Sequence, residues 1–550
     1  MNISRLIISG NKEVKNNYSI NKKNYYYFIN FDRVTYENEY KLNDPKRLHE
    51  IAYQLRSEYV DWVYEQNQYF LSNKLIYQND LSLFFLTDFS CKRNDMFSTF
   101  EDLANIKLIY ELILKYKFKE IHLYNLNQNF VSSLISYISH LEVNVITREI
   151  IKSSRLKDSL TFNFLASFYI LFKYLVVTIY HKLLERNNFK VYEINKLFLT
   201  RFPINFKKFG GFKEDKYYQL PKGMDYLGIS ILSDGLLQSI SLKDYFQSYF
   251  ELRKTKKKFI ILDKYCNFKD IFKVLWLSFI YLKGFYSLSK KEFVFEGINI
   301  SSQIKKEINF SFRRVIGTLI SQKIFSNFIR IHKFNKIIYY LHEYPYGRMV
   351  SYTLNKYRIK KSIGMQHGLS SKLFLIYSLS KAEINKKNSI DFLQNVPLPE
   401  SVWADDLPSR EIYQEAGYKN VILMKNIPRM EYLFSTKLDK KNDIHLIAPS
   451  LRDDYILLGI LLNRIINNPK INFLCKLHPH SNFDFSRFSN ISNLKFTNIS
   501  LNKLLMRSAK VYVTSSTVGY EAYLLKIPVE IIYIPGKLNL SNLLNINKDF

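Results

Sequence analysis

The chain has 550 residues, of which 47% are hydrophobic and 23% are charged, and its formal net charge is +31. This length predicts two or more domains, and the composition excludes a disordered chain. The excess of positive charge fits an anionic partner, such as an acidic lipid surface, a phosphorylated substrate or, less readily, a nucleic acid, but a compositional bias toward lysine explains it as well. Three cysteines without CxxC spacing argue against a disulfide scaffold or a zinc site and suit a reducing compartment. The first residues lack the long apolar core of a signal peptide, so we expect a cytoplasmic protein.

The first 150 residues alternate between strand and helix patterns. Strands are predicted at 81–87, 120–124 and 143–147, where apolar residues form short runs. A capping-box pattern from Ser98 to Glu101 predicts a helix that continues to about residue 116, and a second helix is predicted at 128–140. This order of elements indicates a parallel sheet.

An almost wholly apolar stretch, Phe164 to Tyr180, interrupts the alternation. It has about the minimum length of a membrane-spanning helix, and Lys173 near its middle makes spanning costly. Basic residues flank it on both sides. A helix lying on a membrane surface, a buried core helix and a true span all remain open, and the aromatic segment 272–286 has the same ambiguity.

Alternation then resumes and continues to the C-terminus. Strands are predicted at 197–200, 226–231, 259–262, 336–341, 361–365, 421–424, 444–448, 472–477, 511–514 and 529–533. Helices are predicted at 305–331, 345–357, 409–416, 455–467, 501–507 and 518–525. The pattern predicts an α/β fold with two Rossmann-like domains facing a cleft. We place an acceptor-side domain, with the apolar insertion near 160–185, at 1–334, and a nucleotide-binding domain at 335–550.

Two motifs near the C-terminus each end a predicted strand in polar residues. In the first, Lys476-Leu-His478-Pro479-His480, the imidazole of His478 can donate to a phosphate, and Pro479 fixes the turn that aims it. An ordinary loop histidine explains the motif equally well. A metal site is not favoured, because His478 and His480 have no evident third ligand.

The second motif is Thr514-Ser515-Ser516-Thr517, which opens a predicted helix containing Glu521. Hydroxyl groups at a helix N-terminus, beside its free amides, form a natural anion site, and Glu521 could take a ribose hydroxyl. A simple N-cap is the alternative. Ligands bind at the carboxyl ends of parallel strands, so we expect the two motifs to converge on one phosphate of a sugar nucleotide.

Three further motifs offer candidate groups. His342 and Glu343, followed by Gly347 and Arg348, come directly after the strand at 336–341. Gln366, His367 and Gly368 follow the next strand and could contact the nucleotide or the reacting sugar. Asp234, in Ser-Asp-Gly, could act as a general base, although Asp-Gly is also a common turn dipeptide.

No Asp-x-Asp, P-loop, GxGxxG or HExxH occurs in the sequence. These absences remove support for a metal-dependent sugar-nucleotide site, ATP hydrolysis, nicotinamide chemistry and zinc proteolysis. We therefore expect neither a metal nor a resident cofactor, with a nucleotide sugar as co-substrate.

Taken in order, His-Glu-x-x-x-Gly-Arg, Gly-x-Gln-His-Gly, Asn426-Ile-Pro-Arg-Met-Glu-Tyr432, Lys-Leu-His-Pro and Ser-Ser-x-x-x-Glu-Ala resemble motifs of bacterial surface-carbohydrate biosynthesis proteins. These proteins are GT-B glycosyltransferases, broadly similar to capsule and lipopolysaccharide Kdo- and sialyltransferases. The resemblance covers about residues 335–535. It implies that His478, Pro479, Ser515 and Ser516 hold the CMP phosphate of the donor. The family's acidic-acidic-Gly motif, which carries the catalytic base, is here only Ser233-Asp234-Gly235, so Asp234 and Glu343 are both candidates.

The sequence thus predicts a metal-independent glycosyltransferase that adds a Kdo- or sialic-acid-like sugar from CMP to a surface polysaccharide or lipid-linked glycan. We expect it at the inner face of the cytoplasmic membrane. A CDP-polyol phosphotransferase would use the same donor site. A non-enzymatic nucleic-acid-binding protein is the alternative of another class, but no recognisable nucleic-acid module supports it.

Overall fold

The structure of the protein is a computed structural model. The structure describes residues 5–10, 24–29, 41–152, 156–184, 193–202, 206–208, 212–214, 225–230, 241–254, 259–359, 361–366, 368, 370–384, 391–425, 427, 430–434, 443–451, 453–478, 481, 484 and 486–546.

The strands are, in chain order, β1 (Arg5–Ser9), β2 (Asn24–Phe28), β3 (Ile76–Tyr77), β4 (Leu81–Ser82), β5 (Glu120–Tyr124), β6 (Asn144–Arg148), β7 (Glu193–Phe202), β8 (Phe206–Lys208), β9 (Phe212–Glu214), β10 (Asp225–Ser230), β11 (Phe259–Ile261), β12 (Val294–Phe295), β13 (Ile298–Asn299), β14 (Lys333–Tyr340), β15 (Lys361–Met365), β16 (Ser401–Ala404), β17 (Val421–Leu423), β18 (Ile444–Ala448), β19 (Phe473–Cys475), β20 (Leu494–Phe496), β21 (Ser508–Val513) and β22 (Val529–Ile531).

The α-helices are α1 (Pro45–Glu65), α2 (Asn67–Ser72), α3 (Thr99–Tyr116), α4 (Gln128–Ile138), α5 (Leu160–Leu184), α6 (Leu242–Arg253), α7 (Phe268–Ser289), α8 (Ser301–Ile331), α9 (Pro345–Lys356), α10 (Leu407–Glu415), α11 (Glu431–Phe434), α12 (Asp454–Ile466), α13 (Leu501–Arg507), α14 (Thr517–Leu524) and α15 (Leu543–Ile546).

Three parallel sheets organise these elements. An N-terminal sheet has the order β2-β1-β5-β6, a central sheet the order β11-β10-β7-β14-β15-β16-β17, and a C-terminal sheet the order β20-β19-β18-β21-β22. In the central and C-terminal sheets the chain winds first to one side of the starting strand and then to the other, which is the doubly wound, Rossmann-like order. The predicted α/β fold with two Rossmann-like units is confirmed, and the N-terminal sheet is an additional parallel unit.

The predicted domain boundary between residues 334 and 335 falls at the start of β14, inside the central sheet. That sheet joins β7, β10 and β11 from one side of the boundary to β14–β17 from the other. The N-terminal and central sheets share one continuous hydrophobic core, each with a smaller separate cluster on its other face, and the C-terminal sheet has its own cores. Residues on both sides of position 335 belong to the same core. The chain passes to a different core only between β17 and β18, so the boundary between packed units lies there.

The apolar stretch at 164–180 lies in α5, which packs on α7 and α8. Among the described residues, α5 and α7 are the two helices long and apolar enough to cross a membrane by length and composition alone. One side of each helix is nevertheless buried inside the protein, with 44% and 39% of the most apolar window buried. The buried side of α5 includes Lys173, whose ammonium lies 4.6 Å from the centre of the Tyr169 ring. The core-helix interpretation thus holds for one face of α5.

Candidate functional site

Polar side chains collect at the carboxyl edge of the C-terminal sheet. The chain leaves β18 toward β19 on one side and returns to β21 on the other, so the topological switch point lies between β18 and β21. Ligands of open α/β sheets bind in the crevice at that point. The loop after β18 carries Ser450 and Asp453, and the loop after β21 carries Thr514 to Ser516.

Asp453 holds these two loops together. Its buried carboxylate accepts hydrogen bonds from the hydroxyls of Ser450 and Thr514, each at 2.8 Å, and pairs with the ammonium of Lys537. The backbone amide of Ser515 donates to Ser450 Oγ at 3.3 Å. Because charge-assisted hydrogen bonds are the strong ones, this carboxylate fixes the shape of the crevice.

The hydroxyl residues of the second motif fall into two groups: those bonded to other segments and those at the N-terminus of α14. Ser515 donates to the side-chain oxygen of Asn539 at 3.3 Å and accepts from the amide of Leu540 at 3.0 Å, so its hydroxyl anchors the C-terminal segment. Ser516 is the N-cap of α14 and accepts from the amide of Val518. Thr517 is exposed and is the first residue of the helix, where no intrahelical carbonyl takes up the amide. Of this cluster, Ser516 and Thr517 therefore lie at the N-terminus of α14, whereas Thr514 and Ser515 bond to Asp453 and Asn539.

The His-Pro motif lies one strand further along the same edge. Lys476 and His478 follow β19 and are both half-buried, whereas Pro479 lies outside the described residues. The two motifs do not follow neighbouring strands, because β18 lies between β19 and β21. The start of α12 contacts the loop after β19: Asp454, the residue after Asp453, accepts from the hydroxyl of Ser481, whose amide donates to the carbonyl of His478 at 2.8 Å.

Glu521 lies one turn inside α14 and is buried. Its carboxylate accepts a hydrogen bond from the hydroxyl of Tyr432 in α11. Tyr432 belongs to the Asn-Ile-Pro-Arg-Met-Glu-Tyr segment, so this contact brings two of the sequence motifs together. A role for Glu521 toward a ribose stays a prediction.

No sequence pattern predicted the role of the C-terminal segment, residues 536–546, which returns from the C-terminal sheet to the rest of the molecule. The amide of Leu538 donates to Glu101 of α3 at 2.9 Å, and that of Asn539 donates to His49 of α1 at 2.9 Å. Lys537, in the same segment, reaches Asp453. The segment therefore couples the switch point to the helices of the N-terminal unit.

A second cluster occupies the switch point of the central sheet, between β7 and β14. His342 and Glu343 follow β14, and both are buried. Leu341 has a φ of 60°, a left-handed conformation that is costly for leucine, and it turns the chain sharply into α9. A Cβ at Gly347 would lie 2.1 Å from the carbonyl oxygen of Leu341, and one at Gly364 would lie 2.6 Å from the His342 ring. Both glycines thus serve the close packing of this turn.

Burial sets the protonation of the two groups. Burial, together with the charge of Arg348, lowers the pKa of His342 to about 3, so its imidazole is neutral at physiological pH. Burial also raises the pKa of Glu343 to about 7, against the opposing effect of a hydrogen bond from Tyr413. The second carboxylate oxygen of Glu343 has no hydrogen-bond partner, nor do Nε and one terminal nitrogen of Arg348.

The raised pKa of Glu343 predicts a pH-dependent stability. Folding disfavours the ionised carboxylate, so the contribution is full below the unfolded pKa of 4.5 and is lost as the pH rises through about 7. Glu343→Gln removes this titration, and we expect it to stabilise the protein relative to wild type at pH 8 but not at pH 4.5, by up to about 3 kcal/mol. Chemical denaturation of both proteins across this pH range measures the difference. A constant difference would contradict the assignment.

The side chain of Gln366 hydrogen-bonds to the loops around it. It is fully buried, donates to the carbonyl of Gly368 at 2.8 Å and to Ser409 at 3.0 Å, and accepts from the amide of Asp405 at 2.9 Å. These bonds tie the loop after β15 to the loop after β16. Gly368 is half-buried, whereas His367 and Asp234 lie outside the described residues. Among the described residues, no group of three or more His, Cys, Asp or Glu is arranged to hold a metal ion.

No family model matches the chain, and no curated protein matches it. Solved structures with a similar course include the wall teichoic acid polymerase TagF, which is 12% identical with a TM-score of 0.29 over 67% of this chain and 78% of that one. The glycotransferase of kitacinnamycin is 8% identical with a TM-score of 0.30, over 64% and 82% of the two chains. UDP-N-acetylglucosamine 2-epimerase from Rickettsia bellii is 10% identical with a TM-score of 0.26, over 39% of this chain and 60% of that one. Likeness at this level does not extend to substrate or mechanism.

Proposed function

We propose that the protein is a metal-independent glycosyltransferase that takes a sugar from a nucleotide donor held at the carboxyl edge of the C-terminal sheet. One observation carries the proposal: Ser450, Asp453, Thr514 and Ser516 meet at the switch point of a doubly wound sheet, beside the N-terminus of α14. Free amides and a positive dipole end make that position suited to a phosphate.

The donor phosphate would lie against Ser516 and the amide of Thr517, with Lys476 and His478 on its other side. In the reaction, an acceptor hydroxyl forms a bond to the anomeric carbon of the sugar. The bond from that carbon to the phosphate oxygen breaks, and the nucleotide leaves with the electron pair. Hydrogen-bond donors placed where this negative charge develops supply much of the rate enhancement of such transfers.

The acceptor proton passes to a carboxylate, for which Asp234 and Glu343 remain the candidates. Glu343 has a pKa near 7, a value that suits a general base at neutral pH. Its carboxyl is also buried and bonded to Tyr413, so an acceptor would reach it only after the surrounding loops open. If Asp234 is the base, Asp234→Asn should abolish transfer and leave substrate binding intact.

The donor is proposed to be a CMP-linked, Kdo- or sialic-acid-like sugar, and the acceptor a surface polysaccharide or lipid-linked glycan. The motifs and their order resemble those of CMP-sugar transferases, which supports this choice. The cluster of hydrogen-bond donors suited to a phosphate supports a nucleotide of some kind.

Calorimetric titration with CMP, CDP, UDP and GDP tests the proposal, followed by a donor screen with CMP-Kdo, CMP-sialate and CDP-glycerol. We expect binding to CMP and transfer from a CMP sugar. Transfer from CDP-glycerol alone would replace the glycosyltransferase with a polyol phosphotransferase. Binding to no nucleotide, together with tight and steeply salt-dependent binding to DNA or RNA, would overturn both.

A further inference from the structure

One face of α5 is apolar and exposed along its whole length. Leu165, Tyr169, Phe172, Ile179 and Leu183 recur three, four or seven residues apart and so lie on one side of the helix. Leu165 is 60% exposed and Leu183 is 72% exposed. The helix contains no acidic residue. Its opposite side is the one that packs on α8, so this face is distinct from the core.

The exposed side of α7 has the same character and continues this surface. Its exposed residues include Phe272, Trp276 and Phe279, and Trp276 is 66% exposed. The two helices meet where Phe279 contacts Phe164 and Phe168 of α5, with ring centres 5.5 and 5.6 Å apart. We call the exposed apolar residues of α5 and α7 together the α5–α7 face.

The exposed charged residues of α7 are positive. Lys269, Lys273 and Lys283 are exposed on α7, and exposed Lys290 directly follows its last residue. The acidic residue of α7, Asp270, is half-buried and accepts a hydrogen bond from Asn327. A surface with aromatic and aliphatic side chains bordered by lysines is typical of helices that lie in the interface of an anionic membrane.

We propose that the α5–α7 face docks the protein onto an acidic lipid membrane, with α5 and α7 lying in the plane of the interface. Charge complementarity favours an anionic membrane over a second copy of the chain, because a second copy would set the lysines of α7 near those of its partner. The net charge of +31 adds a long-range attraction toward anionic lipid. The buried sides of both helices stay packed on protein, so the helices lie on the bilayer. For a cytoplasmic protein, the surface would be the inner leaflet.

Vesicle sedimentation with the full chain tests the proposal. Wild type should sediment with vesicles of phosphatidylcholine and phosphatidylglycerol, and far less with phosphatidylcholine alone. The double variant Phe172→Glu/Trp276→Glu should weaken binding to the mixed vesicles by about 10-fold or more, because it places two charges where apolar side chains enter the interface.

The matched control is Ile422→Glu/Ile466→Glu, which makes the same change of charge at two residues that are 51% and 54% exposed elsewhere on the surface. The control should bind as wild type does, and all three proteins should show the same circular dichroism and thermal transition. Quenching of Trp276 by brominated lipid, lost in Trp276→Phe, reports insertion at the face itself.

Three results would overturn the proposal: wild type that does not bind mixed vesicles, an α5–α7 variant that binds as well as the control, or a wild-type dimer that the variant dissociates without any vesicle binding. The proposal does not depend on the enzymatic function, since vesicle binding needs no donor or acceptor. Loss of transfer with vesicle binding intact would instead reject the proposed function.

Discussion

Replacing His478 with alanine is expected to lower transfer by about 10²- to 10³-fold, the cost of removing one donor from a site where negative charge develops. The residue is half-buried in the loop after β19, at the carboxyl edge that carries the donor site. Removing a ring from a loop of this kind should leave the core of the C-terminal sheet intact. The thermal transition should therefore stay close to that of wild type, while the rate constant for transfer falls.

His140→Ala is the matched control, because His140 is exposed at the end of α4 in the N-terminal unit. It should transfer at the wild-type rate. The readout is single-turnover transfer at saturating donor, with nucleotide affinity measured separately by calorimetry. If His478 stabilises the leaving phosphate, the rate falls more than the affinity does. Wild-type turnover in His478→Ala would remove it from the mechanism.

Much of the fold was predictable because a parallel sheet leaves a strong local pattern. Strands buried on both faces are short apolar runs, and the strands at 120–124, 361–365 and 444–448 were predicted with their observed bounds. Helices α9, α12 and α13 fell within a residue of prediction at both ends. Strand-helix alternation then implied the doubly wound order of the sheets.

The prediction failed where a buried apolar run is not a strand and where a predicted capping residue bonds to another segment. Residues 81–87 were predicted as a strand, but only Leu81–Ser82 is one, and residues 83–86 form a buried 3-10 helix. A short apolar run does not distinguish the two. The capping box at Ser98 does not form, because Glu101 accepts from the backbone of Leu538 instead. Elements that were not predicted include helices α1 and α6 and strands β1, β2, β16 and β20.

The sequence could place candidate side chains at strand ends, but it could not predict their contacts. Local spacing predicted the hydroxyl cluster and the His-Pro turn at strand ends, and in the structure Lys476 and His478 follow β19 and Thr514 to Ser516 follow β21. It did not reveal that Ser515 is held by Asn539 or that Gln366 is held by Ser409. Such partners are brought together by tertiary packing, and a motif in one sequence contains no record of them.

Asp453→Ala is expected to have the largest effect on stability. The side chain is buried, and removing it leaves Ser450 and Thr514 without their shared acceptor and Lys537 without its partner carboxylate. Breaking a buried, hydrogen-bonded ion pair costs about 3–5 kcal/mol, and partial exposure of Lys537 reduces this to about 2–4 kcal/mol. Nucleotide affinity should fall as well, since the loops of the switch point lose their common anchor.

The control is Asp443→Ala, which removes an exposed carboxylate paired with Arg507 and should cost less than about 1 kcal/mol. Adding Lys537→Met to Asp453→Ala should recover part of the lost stability, because it removes the cation left without a partner. Nucleotide affinity should not recover with it, because the hydroxyls of Ser450 and Thr514 remain unanchored. Chemical denaturation and calorimetry on the same four proteins separate the two effects. Equal stability of the two single variants would show that Asp453 does not hold the crevice, and full recovery of affinity in the double variant would assign its effect to Lys537 alone.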